Sequence, residues 1–500
     1  MDIQFDNPPD KPAGEEPGAA PGGSSDATVT HVGATEFSSS QEVADASYTS
    51  SKGAENAVLV TGGEIVFSNI NVSKTGDDSG DSSDFYGTNA AFFAYNDTKV
   101  IIEGSDFATN GSHANAVFAY GNASIDISDS TINTSSNNSG GIMVTGGGTI
   151  SASDLSVSTL GNSSAAIRSD RGGGTINVEG GKYETSGIGS PAIYSTADIT
   201  VRDAELVSNA SEGVVIEGKN SVSLDGVSLD ATNNQLNGQS ETYKAIFIYQ
   251  SMSGDASEGT GTFSANNCTI SNSQGDIFFV TNTTAKITLS GNNFIQNDES
   301  GAFLRAQAGA WGNSGSNGGK VTLMATDQEI NGDIVVDEIS SIDLQLNHSY
   351  FLGAFTGKGA VSLALSDDSV VVLTADSYLS SLSDVDVEFQ NIYSNGYKLF
   401  VDGKEVTVNT DEAPESFLDI EETTQDTSTA TTSTSSEFPT WGYFAIGGGL
   451  LAIVIAILVV VVLKQKKSKS VQPTDVIPVQ PPVDQAPTEQ ITNPPEFNQQ

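Results

Sequence analysis

The sequence has few of the residues on which disulfide-rich proteins and nucleic-acid-binding proteins depend. Its one cysteine, Cys268, excludes an intrachain disulfide, and we interpret it as a small core residue rather than a nucleophile. Only 20 Lys and Arg oppose 63 Asp and Glu, for a net charge of −43. Such a charge repels phosphate backbones, so nucleic acid is excluded as a partner, and polyanionic substrates are disfavoured.

The sequence is rich in a short strand motif that recurs about every 25 residues, too short a repeat to bury its own apolar face without stacking on its neighbours. A second strand with alternating apolar residues follows each first strand, and a third follows a turn of Asp, Gly, Ser or Asn. This pattern predicts an all-β fold, a right-handed parallel β-helix of about a dozen coils over residues 51–410. The large apolar residues of the first strand are Val58, Phe92, Val117, Ile142, Ile167, Ile193, Val214, Ile246, Ile277, Phe303 and Ile334.

The rest of the chain divides by composition. We interpret residues 1–50 as a flexible leader and residues 411–441 as a Ser/Thr-rich spacer. Residues 442–463 are uncharged and mostly aliphatic, which predicts a transmembrane helix. Lysines follow at once, so the Pro-rich tail, residues 464–500, is expected in the cytoplasm and the β-helix outside the cell.

An external β-helix needs an export signal, and the polar, Pro- and Gly-rich start of this sequence has no basic and apolar leader. Three explanations stay open: an upstream segment is missing, the single span inserts unusually, or the chain is tail-anchored with a cytosolic β-helix. The last would place the lysines on the wrong side of the membrane, so it ranks third.

Alternation along the first strand predicts which side chains face outward. The outward row is expected to be rich in aromatic residues, which can stack on sugar rings. A structural alternative is that these ladders only reinforce the sheet or lie beneath a loop. The expected outward row contains Leu59, Phe93, Phe118, Met143, Arg168, Tyr194, Val215, Phe247, Phe278 and Leu304, and two residues further along lie Tyr95, Tyr120, Asp170, Glu217 and Tyr249.

Three excursions interrupt the repeat. In chain order, the first spans residues 74–88 and holds four carboxylates that could bind Ca²⁺ in a spacing unlike the EF-hand: Asp77, Asp78, Asp81 and Asp84. The second and third, residues 250–261 and 306–319, leave the same corner and should lie near each other. The third holds Trp311, a candidate carbohydrate platform or a loop-packing aromatic.

The sequence offers little support for catalysis. It lacks the Gly-His-Gly and Arg-Ile-Lys signatures of polygalacturonases, and its three histidines are scattered. Arg168, Asp170 and Arg171 form the one compact charged cluster, which is predicted to be an exposed ion pair at a coil corner.

Residues 83–91, 167–174, 190–195 and 395–403 resemble motifs of large bacterial right-handed β-helix surface proteins, which are adhesin-like and common in anaerobic gut bacteria. The resemblance covers roughly residues 25–410 and implies a β-helix at the cell surface, without catalytic residues to carry over. The expected function is therefore that of a membrane-anchored, adhesin-like protein that recognises glycans or surface proteins of a host or neighbouring cell. A structural coat or spacer is the alternative, and a polysaccharide lyase or hydrolase is the third. No cofactor is expected apart from a possible Ca²⁺.

Overall fold

The computed structural model describes residues 29–238 and 240–416, which fold into a parallel β-solenoid. Neighbouring coils pair through parallel strands, and most coils contribute one strand to each of three sheets, here named A, B and C. The three strands per repeat predicted from the sequence are thus confirmed.

Sheets A and B extend through nearly all of the described coils. Sheet A contains Gly33–Phe37, Asn56–Val60, Phe92–Tyr95, Val117–Tyr120, Ile142–Thr145, Ile167–Ser169, Ile193–Ser195, Val214–Glu217, Lys244–Tyr249, Asp276–Thr281, Leu304–Ala306, Ile334–Val336 and Phe355–Gly357. Sheet B contains Gln41–Ala44, Glu64–Ser68, Lys99–Glu103, Ser124–Ser128, Gly148–Ser153, Gly174–Glu179, Asp198–Arg202, Ser221–Asp225, Thr260–Asn266, Thr283–Ser290, Gly319–Thr326, Ser341–Asn347, Ala360–Leu365 and Ser381–Asp384.

The third side of the solenoid changes sheet near its C-terminal end. Sheet C contains Ser47–Ser50, Asn71–Lys74, Asp106–Thr109, Thr131–Thr134, Ser156–Thr159, Lys182–Thr185, Glu205–Ser208, Ser228–Ala231, Thr269–Asn272 and Asn293–Gln296. Sheet D contains Glu329–Asn331, Tyr350–Gly353, Val370–Leu373 and Ile392–Tyr393, and sheet E contains Ser377–Leu379, Leu399–Val401 and Lys404–Val406. The last strand of sheet E pairs antiparallel to its neighbour. A short helix, α1, spans Asp81–Tyr86 in the first excursion.

The core is one apolar cluster that runs along the inside of the coils from Phe37 to Val408. In sheet A, Val58 pairs with Phe92, Phe92 with Val117 and Val117 with Ile142, and all four side chains are buried. Each such side chain contributes roughly 1.5–3 kcal/mol by leaving water. The stack of like residues therefore gives every coil the same apolar interior and fixes the register between coils.

The turn between sheets B and C explains why Asp, Asn and Gly recur in the sequence. From the first coil to Gly291, one residue in each of these turns lies in the left-handed region of the backbone, with φ between 47° and 67°. Gly, Asn and Asp tolerate this conformation better than other residues. The turn residues are Asp45, Asn69, Gly104, Asp129, Asp154, Gly180, Asp203, Gly226, Asn267 and Gly291.

Serine ladders satisfy the backbone at another corner, between sheets C and A. The Ser139 hydroxyl accepts a hydrogen bond from the Ala114 N–H at 3.0 Å, and the Ser164 hydroxyl accepts one from the Ser139 N–H at 2.9 Å. The Ser190 hydroxyl does the same for the Ser164 N–H at 2.9 Å. The buried donors of a tight corner are thereby paired by the next coil rather than left unsatisfied.

The solenoid begins earlier than the sequence predicts. Its first coil starts at Gly33 rather than at residue 51, since the strands before residue 51 pair with the following coil. The apolar signal of this coil is weak because its strands place only three side chains against the core, those of Phe37, Val43 and Tyr48.

The described chain has no helix long and apolar enough to cross a membrane. The predicted span at residues 442–463 and the tail at 464–500 lie outside the described residues. So do residues 1–28 of the leader and residues 417–441 of the spacer.

Candidate functional site

The outward row of sheet A follows the predicted alternation up to Phe247 and then shifts by one residue. Phe278 pairs with Ile246 and Leu304 pairs with Phe278, so both lie in the core, where they are fully buried. The prediction that they face outward is wrong, and Phe279 and Arg305 take the outward positions. The phase was ambiguous because the neighbouring residues, Ile277 and Phe303, are also apolar.

The outward aromatic residues do not form an exposed platform. They divide into two buried clusters beneath the excursions, which corrects the expectation of an open ladder. The first aromatic cluster consists of Leu59, Ala90, Phe93, Phe118 and Met143, with Tyr95 and Tyr120 packed against it. The second aromatic cluster consists of Val215, Phe247, Tyr249 and Phe279, with Tyr194 and Trp311 packed against it.

The first aromatic cluster is closed by the excursion around α1 and by a residue of the predicted leader. Phe93 and Phe118 are both 0% exposed, and the His31 ring stacks on Phe93 with a centroid distance of 4.5 Å. Gly87, which ends α1 with φ 70°, approaches Phe93 so closely that a Cβ there would lie 2.2 Å from the ring. Tyr95 and Tyr120 remain partly exposed at the rim of the cluster.

The four carboxylates of this excursion anchor it to neighbouring residues. Asp77 accepts a hydrogen bond from the Ser112 N–H at 2.8 Å, Asp78 accepts one from the Ser83 hydroxyl at 2.5 Å, and Asp84 lies 2.9 Å from His113 Nδ1. Asp81 lies 3.6 Å from Arg171. The structure does not bring them together as a calcium site: in the part of the chain it describes, no group of three or more His, Cys, Asp or Glu side chains could hold a metal ion.

Arg171 joins the first excursion to the second, named here the strap (residues 250–258). Its guanidinium lies 3.8 Å from the centroid of the Phe85 ring and forms ion pairs with Asp81 and, on the strap, with Asp255. Phe85 also accepts a hydrogen bond at its carbonyl from the Thr145 hydroxyl at 2.6 Å. One arginine thus links two loops that lie over the outer face of sheet A.

Two carboxyl groups lie beneath the strap, two coils apart. Asp170 is 7% exposed and Glu217 is 1% exposed, so the prediction of an exposed ion pair at this corner is wrong. Glu217 accepts hydrogen bonds from the hydroxyls of Tyr194 at 2.6 Å, Tyr249 at 3.1 Å and Ser251. Burial, and then the charge of Glu217, hold the pKa values of both tyrosines well above 10.0.

The pKa of Asp170, the other buried carboxyl group beneath the strap, is strongly perturbed. Burial raises its pKa to about 7, and the charges of Asp255 and Glu217 act in the same direction. Arg168, 3.3 Å away, opposes the shift, as does the Arg171 backbone N–H, which donates to Asp170 at 3.0 Å. The environment thus keeps Asp170 largely protonated below neutral pH, two coils away from a Glu217 held by three hydroxyl donors.

Trp311 packs against the second aromatic cluster rather than standing free. Its ring centroid lies 5.3 Å from that of Phe247 and 5.1 Å from that of Tyr249, and its side chain is partly buried. Asn317 ties the loop of Trp311 together by donating to the carbonyls of Gly309 and Trp311 at 2.8 and 2.9 Å. The loop-packing interpretation of Trp311 therefore describes its contacts.

Two clefts flank the strap at the corner between sheets A and B. The first, of about 380 Å³, lies between residues 172–174, 196–198 and 219–220 and strap residues 254–257. The second, of about 360 Å³, is lined by strap residues and by Ser316 and Gly318 of the third excursion. The prediction that the two later excursions lie near each other is confirmed.

Sequence reasoning missed two buried ion pairs at the start of the sheet A strands. Lys244 is almost fully buried, with its ammonium 3.1 Å from Glu212 and 4.4 Å from the centroid of the Phe247 ring. One coil further on, Asp276 accepts hydrogen bonds from Arg305 at 2.7 and 3.0 Å. In most coils a small residue such as Ala or Gly directly precedes the large apolar residue of the first strand, and the charged Asp276 at that position was the signal that could have indicated them.

Comparison of the chain with models of known protein families, with curated proteins and with solved structures found no match.

Proposed function

We propose that this protein is a membrane-anchored, adhesin-like surface protein whose β-solenoid recognises glycans or the surface of another cell. In this proposal the solenoid is a right-handed β-helix outside the cell, residues 442–463 span the membrane, and the tail is cytoplasmic. The resemblance to bacterial right-handed β-helix surface proteins belongs to the same proposal.

The observation that carries the proposal is the convergence of three excursions on one face. The segment around α1, the strap and the Trp311 loop all fold over sheet A, and Arg171 links two of them. The strap lines two clefts of ligand size, and the Trp311 loop contributes to one of them. Loops carried on one face of a repeat scaffold commonly form its binding face.

A structural coat or spacer is the second candidate. It is favoured by the burial of Phe93, Phe118, Phe247 and Tyr249, which makes these ladders part of the packing rather than of an open surface. Under this alternative the excursions protect and stiffen sheet A and bind no specific ligand.

A glycan and mucin array probed with the purified full-length chain, with and without added Ca²⁺, tests the proposal. Specific, saturable binding is the expected result. Binding that is lost on Tyr120→Ala or Trp311→Ala would place the ligand at a cluster rim. Tyr378→Ala is the matched control, because this tyrosine is 51% exposed on sheet E, away from the excursions.

A blank array from a correctly folded sample would remove the glycan hypothesis and favour a protein partner or the structural coat. Depolymerisation of an array glycan would instead support the third alternative, a polysaccharide lyase or hydrolase. Depolymerisation is recognised by a fall in the size of the recovered glycan, which neither binding nor a blank array causes.

A further inference from the structure

The cleft beside Arg171 is made by consecutive coils and a loop from a later one. Three neighbouring coils supply its floor, through residues 172–174, 196–198 and 219–220. Its wall is formed by strap residues 254–257. Its volume of about 380 Å³ falls in the range of small-ligand pockets, about 300–1,000 Å³.

The wall of this cleft is held in place by contacts on both sides. The Lys219 N–H donates to the Ser257 carbonyl at 2.8 Å, and Gln250 donates to the Ala256 carbonyl at 3.3 Å. The ion pair between Arg171 and Asp255 fixes the middle of the strap. A ligand would therefore meet a wall that is already ordered, which lowers the entropy lost on binding.

The polar groups of the cleft combine donors and acceptors without net charge. Its charged lining residues are Arg171, Lys219, Asp198 and Asp255, two of each sign. Arg171 and Asp255 pair with each other. Asp198 and Lys219 are exposed, and the Lys219 ammonium has no ion-pair partner among the residues that the structure describes.

The apolar part of the lining is small. Ala197, Ala256 and the glycines at 172–174 leave room for a ring, and among the described residues of the lining there is no aromatic side chain. A sugar hydroxyl both donates and accepts hydrogen bonds, so adjacent hydroxyls match an ammonium and a carboxylate that line the same cleft. Asp198 also accepts a hydrogen bond from the Ser221 hydroxyl at 2.7 Å, which orients its carboxylate. An anionic sugar would meet the Asp198 carboxylate as well as the Lys219 ammonium, in a chain whose net charge of −43 repels anions.

We infer that this cleft binds one neutral sugar unit of a glycan, with adjacent hydroxyls held by the Lys219 ammonium and the Asp198 carboxylate. The inference rests on the proposed function and names the site and the ligand class within it. It differs from the aromatic-platform hypothesis, which places the sugar on Trp311 or Tyr120.

Saturation-transfer NMR and calorimetry on the full-length chain test the inference. The neutral probes are methyl α-mannoside, methyl β-galactoside and N-acetylglucosamine, and N-acetylneuraminic acid is the anionic probe. We expect a neutral probe to bind with little dependence on salt, and Lys219→Met and Asp198→Ala each to weaken it about tenfold or more. Lys286→Met is the matched control, since this lysine is likewise exposed, lies on sheet B outside the cleft lining, and has no ion pair within the described residues.

Three results would overturn the inference. Unchanged affinity in both cleft variants, while Trp311→Ala or Tyr120→Ala abolishes array binding, would remove the site and leave the proposed function standing. Binding of N-acetylneuraminic acid alone, weakened by salt, would remove the neutral ligand class. Failure of every neutral probe with a chain that binds the array would also count against the cleft, whereas a blank array would end the proposed function itself.

Discussion

Replacing Asp170 by asparagine should make the protein more stable near and above neutral pH and should change little below about pH 4. The buried carboxyl group lies beside Arg168 and near the negative charges of Asp255 and Glu217. Asparagine has the size of a protonated aspartic acid, and its carbonyl can accept the same hydrogen bond from the Arg171 N–H. The substitution therefore removes the titration with little change in packing.

The magnitude follows from the pKa of Asp170, which burial raises from an ordinary value of 3.8 to about 7. The folded-state pKa is above the unfolded one, so ionisation of this group opposes folding. Below about pH 4 both states are protonated and nothing is lost. Between the two pKa values each pH unit costs about 1.4 kcal/mol, and the loss levels off at roughly 4 kcal/mol above pH 7.

The assay is thermal unfolding of the full-length wild type and of Asp170→Asn, followed by circular dichroism from pH 5 to pH 8. We expect the difference in midpoint, variant minus wild type, to rise through this range and to level off near its upper end. Hydrogen exchange of the peptide around residues 168–174 should follow the same trend, because a solenoid can unfold in segments. Asp106→Asn, at an exposed aspartate on sheet C, is the control and should show no such rise.

Two outcomes would refute this reasoning. A midpoint difference that stays constant with pH would mean that Asp170 has a similar pKa in the folded and unfolded states. A variant that is less stable at pH 8 than the wild type would mean that the ion pair with Arg168 outweighs the cost of burying the charge.

Three further predictions concern packing, charge and accessibility. Phe118→Ala should lower the free energy of unfolding by about 3–5 kcal/mol because it opens a cavity in the first aromatic cluster, whereas Leu160→Ala at an exposed site should change it by less than about 0.5 kcal/mol in denaturant titrations. Raising the NaCl concentration should raise the unfolding midpoint, since salt screens the repulsion within a chain of net charge −43, and a midpoint that falls would contradict this. The Cys268 thiol, whose pKa burial raises, should resist alkylation by iodoacetamide at pH 8 in the native chain and react after denaturation. Rapid labelling of the native chain, measured by mass spectrometry, would show that its coil opens readily.

The architecture of the coils was predictable because each coil obeys local rules. Alternation placed Val117 inside and Phe118 on the opposite side of the strand, and the turn residues marked the left-handed corner after each sheet B strand. Prediction failed at Phe278 and Leu304, where adjacent apolar residues left the phase open. It failed again at the first coil, whose strands offer few apolar side chains to the core.

The candidate site was less predictable than the fold. The sequence pointed to Tyr120, Tyr249 and Trp311 as outward or loop aromatics, and all three do lie with the clusters on sheet A. It could not indicate that Asp170 and Glu217 are buried, because alternation assigns a side of the strand and says nothing about what covers that side. Nor did it single out Lys219, an exposed lysine without a motif.

The repeat, the three strands of each coil, the polar turns and the apolar interior all follow from the sequence, since each depends on residues within one coil or its neighbour. Which outward residues meet solvent depends instead on contacts made in the folded solenoid. The contacts that close the outer face join distant positions, 60 residues apart for Thr145 and Phe85 and 84 apart for Arg171 and Asp255. These excursions have no period of their own, so their place over sheet A follows from packing and charge pairing between loops that only the folded solenoid brings together.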